Sequence, residues 1–232
     1  MRTVMITEPT RDEQGKLIIE NNTPDKKPHH LYRQKGGSLY YQEESGGAFD
    51  DGILIALEAA KQENCFVNYD TISLGVLSVN PEMNTTGALN FLACNMLIKQ
   101  NHLDEKEKQI RRIRAQQNAP KSIGFEDFYL LDSFEQSKAE KIINFCNAND
   151  IYIPALKIHY DAAVKYAKSQ GGSYEEQVKK ATEHFGLPEV ITQENLSELR
   201  NKLVLSKNDP RVVETQKMIT QQHSRGKSVQ NG

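Results

Sequence analysis

From Ala88 to Ile98 the chain is apolar at nearly every position, with Leu89, Phe91, Leu92, Ala93, Cys94, Met96 and Leu97 in close succession. A helix that is apolar on most sides is buried on most sides. Asn84, Thr85 and Thr86 precede it, and their side-chain oxygens suit the cap of a first turn. After Ile98 the pattern changes. Asp104 to Arg114 is almost wholly charged, yet Leu89, Met96, Leu103 and Ile110 stay seven residues apart, with Leu92 and Ile113 in the companion register. This spacing predicts one long helix near 86–117, buried in its first half and projecting in its second. The competing reading breaks it at Asn101–His102, with Asp104 capping a second helix and Glu107 closing a capping box.

Residues 1–48 alternate short apolar runs with turn formers. Val4–Ile6, Lys16–Ile19, His30–Arg33 and Ser38–Tyr41 are strand candidates, and Gly36-Gly37 hinges a hairpin from His30 to Tyr41. Asp50 or Asp51 then caps a helix through Ile53, Leu54, Leu57 and Ala60 that ends near Asn64. Thr71–Val79, rich in β-branched and aliphatic residues, reads as a strand or as a buried extended connector.

Beyond Pro120 five helices are predicted. Ser133 with Gln136 and Ser173 with Glu176 have capping-box spacing. Pro154 fits a first turn, Thr192 caps a helix carrying Leu196, Leu199 and Leu203, and Asp209-Pro210 opens the last. Gly186 and Pro188 close the helix begun at Ser173. The fold class is therefore α+β and predominantly helical: a β-rich subdomain over 1–48 packed on a helical bundle over 49–222, with a frayed polar tail over 223–232.

Composition narrows the function classes. The net charge of −2 gives no global argument for nucleic acid or an anionic membrane. No run approaches the ~18 apolar residues of a membrane span, and the N-terminus turns polar too soon for a signal peptide. Three cysteines, Cys65, Cys94 and Cys146, are an odd number at wide spacing, which suits reduced thiols and a cytoplasmic setting. The polar residues after Asp209 would also suit a bacterial effector translocated into another cell's cytoplasm.

Candidate chemistry is sparse, and the spacings call for neither cofactor nor metal. Cys65 is the one thiol outside a strongly apolar helical pattern, and His159 with Asp161 could serve it as a base in a hydrolase or transferase. Its place at a helix C-terminus disfavours the thiolate such chemistry needs. Asp50-Asp51 reads as a helix start, and His29-His30 as the entry to a strand. Lys106, Lys108, Arg111, Arg112 and Arg114 form the densest basic run. With Lys121, residues 104–121 hold six cations against three acids, so +3, whereas 49–103 hold two against six, so −4. Glu107 stands four residues before Arg111, in the favourable order for a self-paired helix face. A weak nucleic-acid contact is the alternative use of this run, but it lacks aromatic residues for base stacking.

Tyr166 to Pro188, with Tyr174, Val178, Ala181 and Phe185 between, resembles the latter part of a tetratricopeptide repeat. That family packs helix pairs into a groove for extended peptides. The resemblance covers one repeat, and Gln177 stands where the family prefers a small Ala. With no catalytic constellation in view, the sequence reads as a protein-interaction or adaptor module. Its expected contact residues are Leu103, Ile110, Arg111, Ile113 and Arg114, and its expected partner is another protein.

Overall fold

The computed structural model describes residues 4–7, 29–42, 48–100, 105–129 and 136–228. The fold is α+β and predominantly helical, and it divides into two compact units, Met1–Leu92 and Ala93–Gly232.

The first unit holds a mixed sheet of five strands in sequential order: β1 (Val4–Thr7), β2 (His29–Arg33), β3 (Leu39–Gln42), β4 (Val67–Thr71) and β5 (Gly75–Val79). β2 and β3 form the expected antiparallel hairpin, turning through Gly36 and Gly37 at φ 105° and 90°. Helix α1 (Phe49–Glu63) then carries the chain across the sheet, so that β4 lies parallel to β3, and β5 returns antiparallel to β4. Thr71–Val79 is thus a strand end, a turn and a strand. The expected strand at Lys16–Ile19 lies outside the described residues. The expected β-rich boundary at residue 48 is not where the compact units part. β4 and β5 come after it and complete the sheet, and α1 packs on both of them.

Helix α1 begins differently from expectation. Its N-cap is Ala48, with no side-chain cap, and Asp50 and Asp51 lie inside the first turn, where carboxylates favour the positive end of the helix dipole. Its C-cap is Asn64 in the left-handed region, as the sequence placed it. Ile53, Ala56, Leu57, Ala59 and Ala60 are buried, a set of small and branched residues that lets the helix sit close to the strands.

Helix α2 (Thr85–Lys99) crosses from one unit into the other. Asn84 caps it, accepting from the Gly87 amide at 2.7 Å. Ala88, Leu89, Leu92, Ala93 and Leu97 are buried, as the apolar run predicts. The helix does not continue to Gln117. It ends at Lys99, and α3 (Glu105–Asn118) is a separate helix. Leu89 is fully buried while Ile110 is exposed, so the seven-residue spacing marks no single seam.

In the second unit β6 (Ser122–Gly124) pairs antiparallel with β7 (Val190–Thr192). Around them stand α4 (Phe125–Tyr129), α5 (Gln136–Ala148), α6 (Ile153–Gln170), α7 (Tyr174–Phe185), α8 (Leu196–Lys202) and α9 (Pro210–Ser228). The core centres on Tyr160 of α6. Its ring stacks on Phe128 at 4.5 Å, and its hydroxyl donates to the Pro188 carbonyl at 2.8 Å. Large aromatic side chains contribute about 1.5–3 kcal/mol each when fully buried. Asp127 joins three elements: it accepts from the Gly124 amide at 2.8 Å and from Lys141 of α5 at 2.9 Å.

The Ser173–Glu176 capping box is present in both directions, and Gly186 ends α7 at φ 64°. Pro154 lies in the first turn of α6. The Ser133 half of the other capping box is outside the described residues. Thr192 is not a helix cap. It belongs to β7 and exchanges hydrogen bonds with Asn195, which is the cap position of α8. The last helix runs to Ser228, past the His223 at which a frayed tail was expected.

Candidate functional site

Helix α3 is built almost entirely from polar residues that favour helix, with Ile110 and Ile113 as its large apolar exceptions. It packs against α5, and among its described residues Ala115 is the buried one. At 3.6 residues per turn, Ile110 and Ile113 lie roughly 140° and 160° around the helix from Ala115. They therefore face outward, and they are 43% and 51% exposed. Lys106 and Gln117 fall on the same outward line, which gives steps of four, three and four residues, the spacing of a helix-pairing seam.

Arg111 donates to Glu107 at 2.7 Å, the pairing its spacing predicts, and an exposed pair of this kind adds only about 0.3–0.5 kcal/mol. Arg114 is exposed and borders the two isoleucines, with Arg112 further round the helix. Single exposed hydrophobic residues are ordinary. Two isoleucines one turn apart, on the face opposite the packing face, form a stripe. Leu103, the fifth expected contact residue, lies outside the described residues.

Cys65 lies in the first compact unit, and His159 and Asp161 lie in the second. Cys65 follows the α1 C-cap, its amide bonded to the Ala60 carbonyl. His159 and Asp161 sit two residues apart on α6, which turns their side chains to different faces. Asp161 is engaged by Lys157 at 2.5 Å. His159 is 1% exposed and its Nε2 has no hydrogen-bond partner among the described residues. Burial, reinforced by the positive charge of Arg211, lowers its pKa to about 3. It is a neutral core imidazole, far from the range a general base needs at neutral pH.

A polar cluster that sequence reasoning missed lies near His159. Arg211, in the first turn of α9, donates to Asp209 through Nε at 2.9 Å and through Nη2 at 2.7 Å. The same guanidinium donates to the carbonyls of Arg200 at 2.8 Å, Lys202 at 3.1 Å and Leu203 at 3.0 Å, at the end of α8. These are carbonyls that a helix end leaves without intrahelical donors, so Arg211 clasps α8 to the start of α9. Burial works to raise the Asp209 carboxyl, but the hydrogen bonds and charge of Arg211 outweigh it and hold the group below the usual range. The Cys94 thiol is pushed up, chiefly by burial. The Asp-Pro-Arg order marked a helix start in the sequence, but the carbonyls it captures could not be read there.

His29 and His30 are consecutive residues of β2 and point to opposite faces, so they cannot close on one metal ion. His29 meets the Tyr41 hydroxyl at 3.3 Å. No group of three or more metal-ligating side chains occurs among the described residues. Nor is any helix among them long and apolar enough to cross a membrane. A cleft of about 400 Å³ opens between the end of α7 and α8, lined by Glu183, Leu187, Pro188, Asn195, Glu198 and Leu199. Its Glu198 is bound to Lys202 at 3.0 Å, and the Asn195 amide donates to the Val190 carbonyl, so its polar lining is largely occupied internally.

No family model matches the sequence, no curated protein matches it, and no solved structure matches the fold. The tetratricopeptide resemblance extends only to the packing of α6 on α7, where Tyr166 stacks on His184 at 4.5 Å. The chain then enters β7 and the seven-residue α8, so a second helix pair of that kind does not follow.

Proposed function

We propose that this protein is an interaction module whose α3 outer face receives an amphipathic helix with acidic flanks from another protein. The exposed Ile110–Ile113 stripe, opposite the buried Ala115, carries this reading. Its four-three-four spacing suits helix-to-helix packing. Arg114, which borders the isoleucines, and Lys106, on the outward line, supply the charge that selects acidic flanks and speeds encounter. The thiol-enzyme reading draws little support from a buried, neutral His159.

A photo-crosslinking amino acid at the exposed Gln117 would test this reading in a nuclease-treated lysate. The expected product is a crosslink to an acidic amphipathic segment, lost in Ile110→Asp/Ile113→Asp and weakened by salt. A product that disappears with nuclease treatment would turn the reading toward nucleic acid. A product unchanged in the double variant would remove the isoleucine stripe from the site.

A further inference from the structure

β5 is an edge strand, and β4 is its only hydrogen-bonded strand neighbour among the described residues. Its other polar contacts among the described residues run back to its own hairpin: the Gly75 carbonyl accepts from Thr71 Oγ1, and Ser78 Oγ donates to Asn68. The backbone groups on its outer side thus lack a protein partner among the described residues. Such an edge is a template for another strand, and folded proteins blunt it with charge, proline or a covering element. β5 reads Gly-Val-Leu-Ser-Val, without a charge or a proline.

The faces of this strand are fixed by its neighbours. A β-carbon on Gly52 of α1 would meet the Tyr69 ring, so Tyr69 points toward α1. Leu77, paired with Tyr69, and Val79 share that face and are buried. Val76 and Ser78 point the other way, and Val76 is 57% exposed.

We propose that β5 pairs antiparallel with β5 of a second copy of this chain, about a two-fold axis at Leu77. Self-pairing suits this strand because it is uncharged, so no like charges meet across the axis. In that register Val76 of one copy lies opposite Ser78 of the other, and Leu77 opposite Leu77. The two Val76 side chains fall on one face and are partly covered. The two sheets become continuous, with both α1 helices on the same side.

Sedimentation of the full chain, followed with dilution, tests this. The expected result is a dimer at about 100 µM that dissociates on dilution. Val76→Lys and Ser78→Glu each place like charges near the axis and should yield monomers at that concentration, with unchanged circular dichroism. Mixing the two variants sets the introduced lysine of one copy against the introduced glutamate of the other and should restore the dimer. Ile110→Asp/Ile113→Asp should leave it intact, which separates this site from α3. A wild-type chain that stays monomeric at about 100 µM overturns the proposal, and leaves the edge to a strand from another protein. A dimer that survives both β5 variants overturns it as well.

Discussion

Gly52 of α1 lies against the ring of Tyr69 on β4 so closely that a β-carbon at position 52 would stand 2.1 Å from the tyrosine hydroxyl oxygen and 2.4 Å from the ring carbon bearing it. Tyr69 is fully buried and stacks on Tyr41 at 5.5 Å, so the ring has little room to yield. A glycine within a helix normally weakens it by up to about 1 kcal/mol relative to alanine. Here it permits the approach that seals helix to sheet.

Gly52→Ala should therefore destabilise the first unit despite its better helix propensity. Overpacking of this kind costs about 1–3 kcal/mol. Urea unfolding should show a lower midpoint. Tyr69→Phe in the same chain should recover part of the loss, because the oxygen is removed while the ring carbons remain close. An unchanged midpoint in Gly52→Ala would show that the helix can ride higher on the sheet.

The pH dependence of stability should carry the mark of His159. Its folded pKa is lowered to about 3 from an ordinary 6.5, by burial first and by the charge of Arg211 second. Between those values the unfolded chain holds a proton on this imidazole that the folded chain does not. Stability from this group is complete above pH 6.5 and is lost as pH falls toward 3, at about 1.4 kcal/mol per unit. His159→Leu should reduce the drop in unfolding free energy between pH 7.5 and pH 5 by roughly 2 kcal/mol relative to wild type. Equal drops in the two proteins would mean that the imidazole is hydrated or protonated in the folded state.

Legibility in the sequence followed the range of the interactions. Ser173 and Glu176 were readable because a capping box is local chemistry within one turn. The burial of Leu89 and Leu92 was readable because no other setting suits so apolar a helix. Thr192 was misread because β7 is only three residues long, and its partner β6 lies far away in the chain. The Arg211 clasp spans only eight to eleven residues, but it depends on how α8 ends, and its effect on His159 depends on the packing of α6, neither of which is local chemistry within one turn. On α3 the two isoleucines stood out in a charged run. The contact of α3 with α5, which decides that the isoleucines face outward, could not be read from one helix alone.

Arg211→Lys should be costly although it conserves charge. A lysine ammonium cannot reproduce a planar fork that serves the Asp209 carboxylate and the Arg200, Lys202 and Leu203 carbonyls together. The expected loss is about 2 kcal/mol, the scale of hydrogen bonds involving charged groups. In a double-mutant cycle with Asp209→Asn, the two losses should fall short of additivity, because each variant removes the same bonds. Strict additivity would mean that the arginine acts through the carbonyls alone.

Thiol titration distinguishes the three cysteines and bears on the enzyme reading. Cys94 and Cys146 are buried, and burial pushes the Cys146 thiol up to about 12. Neither should react with an aromatic disulfide in the native protein at pH 8, since the thiolate is the reacting species. Cys65 is partly accessible, and it alone should react before denaturant exposes the other two. Rapid reaction of Cys65 at pH 6, abolished by Cys65→Ser, would reveal an activated thiolate and revive a cysteine-dependent activity in the first unit.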